Sequence, residues 1–169
     1  MKRILFIIAT VLMILAISGC NNESIEYVQP VHAYYCTQQI SYNSANSVFA
    51  AEQREFSGYE DRIKDFLNEY LSGPQDTSLR SPFPPGAFII DYEQQNDTIR
   101  LHLNVHFSRL APNELTVACA CISKTLFELT DAKTVHIQVD GDSQSNSQIT
   151  MTMDNIFYAD DAQTKKTED

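Results

Sequence analysis

The sequence predicts an α+β domain, a two-layer sandwich with two helices on one face of a mainly antiparallel sheet. Three observations carry that expectation. Apolar residues recur at helical spacing twice, as Ile63, Phe66, Leu67, Tyr70, Leu71 and as Leu115, Cys119, Ile122, Leu126, Leu129. Residues 98–107 and 134–140 instead alternate apolar with polar, the period of a strand with one buried and one wet face. The order along the chain is strand, short strand, helix, hairpin, helix, strand, strand, with no internal repeat.

Before these elements stands MKRILFIIATVLMILAISGC. Lys2 and Arg3 form a positive start, Ile4 to Ile17 is apolar apart from Thr10, and Ser18-Gly19 gives a peptidase room to reach the backbone. The Ile17-Ser18-Gly19-Cys20 run resembles the lipobox of bacterial lipoproteins. That resemblance implies cleavage of residues 1–19 and a diacylglycerol, with palmitate among its acyl chains, on the Cys20 thiol, the strong nucleophile that can form the thioether. An uncleaved membrane span is the competing expectation, but this apolar run falls short of the roughly 17–25 residues a bilayer needs. An ordinary secretory signal is the other alternative; all three put the chain outside the cytoplasm, and the lipobox resemblance puts it at the cell membrane on its extracytoplasmic face.

Loss of residues 1–19 from 169 leaves 150, enough for one domain with a real core. Lys2 and Arg3 go with them, so ten basic residues face 22 acidic ones, a formal charge of −12. Such a balance excludes nucleic acid, whose phosphates demand cations. It also opposes lying flat on anionic lipid, so the domain should stand off the membrane on its acyl chains. Beyond Cys20, Cys36, Cys119 and Cys121 allow at most one internal bridge. Cys119 and Cys121, two apart on a helix, point to roughly opposite faces and should be small buried hydrophobes.

Residues 20–30 read as a polar tether and 31–157 as the domain. Val31 to Thr37 is a β-branched and aromatic strand, and Val48 to Glu55 a shorter one. Ser57 and Glu60 have the spacing of a capping box before the first helix; Gly73 suits a left-handed cap and Pro74 forbids continuation. Residues 75–86 hold Pro82, Pro84 and Pro85 and form a loop. Ala87 to Tyr92 and Thr98 to Phe107 make a hairpin around Gln94-Gln95-Asn96-Asp97. Its second strand should bury Ile99, Leu101, Leu103, Val105 and Phe107, leaving Arg100, His102, Asn104 and His106 wet. Pro112 opens a second helix to about Leu129. Thr134 to Asp140 and Ile149 to Met153 close the sheet, and residues 158–169 form a charged, disordered tail.

Several of these residues together resemble the GerMN domain of spore germination and sporulation proteins. Leu71-Ser72-Gly73-Pro74 followed by Ser81-Pro82-Phe83-Pro84-Pro85-Gly86 is similar to its "LxGP … SPlPpG" signature. Lys124 to Leu129 stands where the family has "yTLtel", and Val135 to Gly141 is like "V-x-i-x-V-D-G". The matched positions Leu71, Gly73, Pro74, Ser81, Pro82, Pro84, Pro85, Gly86, Asp140 and Gly141 are structural in this reading. The chain departs from the family at Leu103-Asn104-Val105, where a Ser or Asp is usual. The resemblance implies a fold related to ring-building motifs, and assembly or envelope interaction rather than catalysis, in sporulation or germination. Partners would be a second copy or other envelope and sporulation proteins.

The chemical candidates are weak beside it. His102 and His106 lie about 13 Å apart on a strand and cannot close on one zinc; a cross-strand pair with His136 remains open. Asp140-Gly141-Asp142 lacks the glycine and glutamate of a calcium loop, since Ser145 and Met151 stand there. Neither cofactor nor metal is expected. Glu52 and Glu55, three apart on a strand, point to opposite faces and do not share hydrolytic work. No G-x-S-x-G, H-E-x-x-H or C-x-x-C occurs. The alternative is a lipoprotein binding glycan or peptide on its polar sheet face, with Tyr34 or Tyr92 as platform.

Overall fold

A computed structural model describes residues 28–38, 48–58, 62–141 and 148–156. Cys20, Glu60, the 142–147 turn and the 158–169 tail lie outside the described residues. The chain is α+β and its strands are mostly antiparallel, divided between two sheets.

In the first sheet β1 (Val28–Thr37) lies between β2 (Phe49–Ser57) and the two-residue β3 (Leu79–Arg80). β1 and β2 pair antiparallel from Val28 opposite Ser57 to Cys36 opposite Phe49. The strand thus begins three residues inside the stretch expected as tether. β2 runs through Ser57, which therefore cannot cap a helix. Helix α1 (Ile63–Tyr70) starts six residues later, and its N-cap Arg62 makes no side-chain cap. Its stripe is as expected: Ile63, Phe66, Leu67, Tyr70 and Leu71 are all buried. Each such side chain contributes about 1.5–3 kcal/mol relative to exposure.

The second sheet has the order β4 (Ile89–Gln95), β5 (Thr98–Leu103), β6 (Thr134–Val139), β7 (Ile149–Thr152). β4 and β5 form the expected hairpin, with Asn96 at φ 55° in its turn. β5 and β6 are parallel, Thr98 opposite Thr134 to Leu103 opposite Val139. Parallel neighbours need a long crossover, and helix α2 (Pro112–Leu129) supplies it. β5 ends at Leu103, four residues short of the expected limit. Val105–Arg109 winds instead into a 3-10 turn that buries Phe107 and leaves Val105 exposed.

α2 packs against β1 of the first sheet and β7 of the second. Every residue from Ala118 to Leu126 is buried. A helix covered on all sides needs small or apolar residues all round, and Ala118, Cys119, Ala120 and Cys121 meet that need. Both cysteines are buried as expected, and burial pushes the Cys119 thiol up to about 12. β1 joins the helices through hydrogen bonds on its open side. The Tyr34 N–H donates to Thr125 Oγ1 at 3.0 Å, and Tyr70 Oη donates to the Tyr34 carbonyl at 2.6 Å.

Candidate functional site

The proline-rich loop is held at both ends. Arg54 and Glu52, adjacent on one face of β2, form an ion pair at 2.6 Å with side chains 7% and 9% exposed. Arg54 Nη2 donates to the Gly73 carbonyl at 2.7 Å, and Tyr35 Oη donates to that oxygen at 3.1 Å and to the Tyr70 carbonyl at 3.0 Å. Glu52 accepts from the backbone N–H groups of Gln75 and Asp76, each at 2.9 Å. Burial pushes the Glu52 carboxyl up, but the Asp76 and Gln75 amides and Arg54 outweigh it and hold the carboxyl below its usual range. Glu52 is therefore a clamp on the turn after Gly73-Pro74. Its partnership with Arg54 was visible as an i, i+2 pair on one strand face; sequence reasoning weighed Glu52 only against Glu55.

Beyond that turn, Ser81 Oγ accepts from the Phe83 N–H at 3.2 Å, and Phe83 packs edge-on to Tyr35 and Tyr70. Asn104 holds the far end. It is 2% exposed and donates from Nδ2 to the Gly86 carbonyl at 2.8 Å; its N–H donates to the Phe88 carbonyl at 3.2 Å, and its Oδ1 accepts from the Phe88 N–H at 3.4 Å. Asn104 was expected on the wet face, but the strand ends before it and its side chain turns inward. The position where this chain departs from the family pattern thus anchors the family's loop.

Two motif glycines meet the 3-10 turn. A Cβ on Gly86, at φ 78°, would lie 3.2 Å from His106 Nε2, and one on Gly141, at φ 74°, would lie 2.7 Å from Val105 Cγ2. His106 accordingly covers Gly86 rather than standing on the sheet. Asp140 itself is exposed, and its backbone N–H donates to the Leu103 carbonyl at 2.9 Å. A cleft of about 420 Å³ opens between Arg80–Pro85 and the start of α2, walled by Phe83, Pro84, Leu110 and Val117. Glu114 at its rim accepts from the Ala111 N–H at 3.1 Å.

The polar face of the second sheet is built from cross-strand rows. Glu93, Arg100, His136 and Thr150 are successive neighbours, and Asp91, His102 and Gln138 form the next row. Arg100 lies 3.6 Å from Glu93, and His136 Nδ1 shares a 3.0 Å hydrogen bond with Thr150 Oγ1. The structure brings together Arg100, His102 and His136 of the expected face and removes Asn104 and His106. Among the described residues no three His, Cys, Asp or Glu side chains gather as a metal site. Tyr34 and Tyr92, the suggested platform, are half-buried and hydrogen-bonded, to Glu128 and Gln94 respectively. Among the described residues no helix is long and apolar enough to cross a membrane.

Comparison with known proteins adds the following. The family model Germane, described as sporulation and spore germination, matches residues 33–145. No curated protein matches. Among solved structures, the tandem GerMN domains of the Bacillus subtilis sporulation protein GerM superpose with a TM-score of 0.56 at 18% identity. That match covers 79% of this chain and 48% of the other, so this chain spans about half the length of the tandem structure. The first of those GerMN domains alone gives 0.49 at 15% identity, covering 66% and 84%. A Clostridium perfringens protein described as a lipoprotein gives 0.46 at 16% identity, covering 82% and 95%.

Proposed function

The chain belongs to the Germane family of sporulation and spore germination, and from that premise we propose that it is a lipid-anchored, extracytoplasmic assembly module without catalytic activity. Its task would lie in sporulation, germination or the cell envelope. Cys20 would carry the acyl chains, and the polar rows of the second sheet would meet a second copy or another envelope protein. The observation that carries this reading is the division of labour between motif and surface. The residues around Gly73, Ser81, Gly86 and Gly141 are occupied in holding the loop and the 3-10 turn, whereas Glu93, Arg100, His136 and Gln138 stand on a sheet face the core does not use. A charge of −12 disfavours free association, and confinement to a membrane offsets that by raising effective concentration.

The test has two arms. Mass spectrometry of membrane-bound protein should find a lipidated peptide beginning at Cys20, and Cys20→Ala should lose the anchor; an unmodified Cys20 thiol in the wild type sinks the anchoring. Separately, Arg100→Gln with His136→Gln should abolish co-purification of native partners while shifting stability by no more than about 1 kcal/mol. If every partner is retained, the polar face is not the assembly surface. A hydrolytic activity abolished by one acid or histidine would replace the reading altogether.

A further inference from the structure

Cys36 near the end of β1 and Cys121 in the middle of α2 lie 85 positions apart in sequence, yet the seam between the two elements makes their thiols neighbours. Both side chains are 0% exposed, and both are free thiols. Their approach follows from the register of the seam. His32 Nδ1 shares a 3.4 Å hydrogen bond with Glu128, the Tyr34 N–H donates to Thr125, and Thr125 lies one helical turn after Cys121. β1 therefore runs opposite to α2, and two residues further along the strand Cys36 meets Cys121. Cys119, two positions from Cys121, points elsewhere on the helix.

We propose that Cys36 and Cys121 are a redox pair that takes an intramolecular disulfide, stapling β1 to α2. The oxidant is a disulfide, either a low-molecular-weight one or that of an oxidoreductase. The Cys36 thiolate attacks one sulfur of that disulfide, forming a mixed disulfide and expelling a thiolate. The Cys121 thiolate then attacks the Cys36 sulfur and expels the second thiolate. The protein dithiol loses two electrons and two protons, and the oxidant leaves as two thiols. Cys36 is the attacking group of the pair, because Arg80, paired with it across β1 and β3, favours its thiolate whether or not α2 is docked. Complete burial adds a kinetic condition. Exchange occurs before α2 docks on β1 or when that seam opens, so the folded dithiol reacts slowly.

The experiment refolds the full chain from denaturant at a series of glutathione disulfide to glutathione ratios. Free thiols are then alkylated under denaturing conditions and the peptides mapped. The expected product is a Cys36–Cys121 bridge with Cys119 alkylated. Oxidation should raise the unfolding midpoint by roughly 5–10 °C, a gain lost on adding reductant. Cys119→Ala should keep the bridge, and Cys121→Ser should lose both bridge and midpoint gain. Mapping that joins Cys119 to either partner, or leaves Cys36 and Cys121 both alkylated at the most oxidising ratio, overturns the proposal. The Cys119→Ala chain keeps the proposal falsifiable should Cys121→Ser fail to fold.

Discussion

The phenol of Tyr70 donates to the backbone carbonyl of Tyr34 at 2.6 Å, while the Tyr70 carbonyl receives the phenol of Tyr35 at 3.0 Å. Consecutive residues of β1 thus grip one residue of α1 from both directions. Tyr35 and Tyr70 are each 0% exposed, their rings 5.0 Å apart, and burial pushes both phenols well above their ordinary range.

Tyr70→Phe keeps the ring and removes the hydrogen bond to the Tyr34 carbonyl. The expected loss is about 0.5–1.5 kcal/mol, the net worth of one such bond. Urea denaturation would measure it, and a loss within experimental error would mean that water replaces the phenol.

Glu52→Gln should cost about 2–4 kcal/mol at neutral pH, because Arg54 keeps its charge in a nearly closed site. The sign of its pH dependence follows from the depressed carboxyl. The Glu52 contribution is fully present above its ordinary value of 4.5 and is lost as pH falls through the lower folded value. The stability gap between wild type and Glu52→Gln should therefore narrow on acidification below that range. A gap that widens there would contradict the assignment.

Gly141→Ala combines an unfavourable backbone angle with a Cβ 2.7 Å from Val105 Cγ2. A loss of about 2–3 kcal/mol is expected. Adding Val105→Ala removes the contact but leaves the angle, so the double variant should recover only part of the loss. Thermal unfolding of both chains would separate the two costs; full recovery would show that the positive φ matters little.

Leu67→Ala and Leu101→Ala should each cost about 2–5 kcal/mol, since the two side chains are 0% and 2% exposed in one continuous core. Losses below half a kcal/mol at both sites would overturn the assignment of their faces.

What the sequence disclosed follows from how local each signal is. The α1 stripe and the β5 alternation depend on neighbours a few residues away; the first stands as read and the second as far as Leu103. The same alternation misled at its end. Phe107 remains buried when the chain tightens into a 3-10 turn after Leu103, so its apolar character looked like more strand. Ser57-x-x-Glu60 has capping-box spacing, but the pairing of Ser57 with Val28 keeps it in a strand. The split into two sheets and the parallel β5–β6 pair depend on partners tens of residues distant, which periodicity does not encode. The loop's clamps were missed for a related reason: Glu52, Arg54 and Asn104 acquire their roles only once distant carbonyls and amides arrive.

The seam between Tyr34 and Thr125 joins positions 91 apart, so it can close only late in folding. A nascent chain emerging from the amino end presents β1 and β2 long before α2 exists. Until then the edge of β1 away from β2, outside its short pairing with β3, lacks its cover from α2 and offers a template for another such chain. Truncation between β5 and α2 would make that transient state permanent, and the fragment would self-associate instead of folding. The same reasoning ranks mutations by kinetic effect. Changes at Thr125 or Cys121 would prolong the vulnerable interval, whereas changes in the β4–β5 hairpin, whose contacts are short-range, would leave it unaltered.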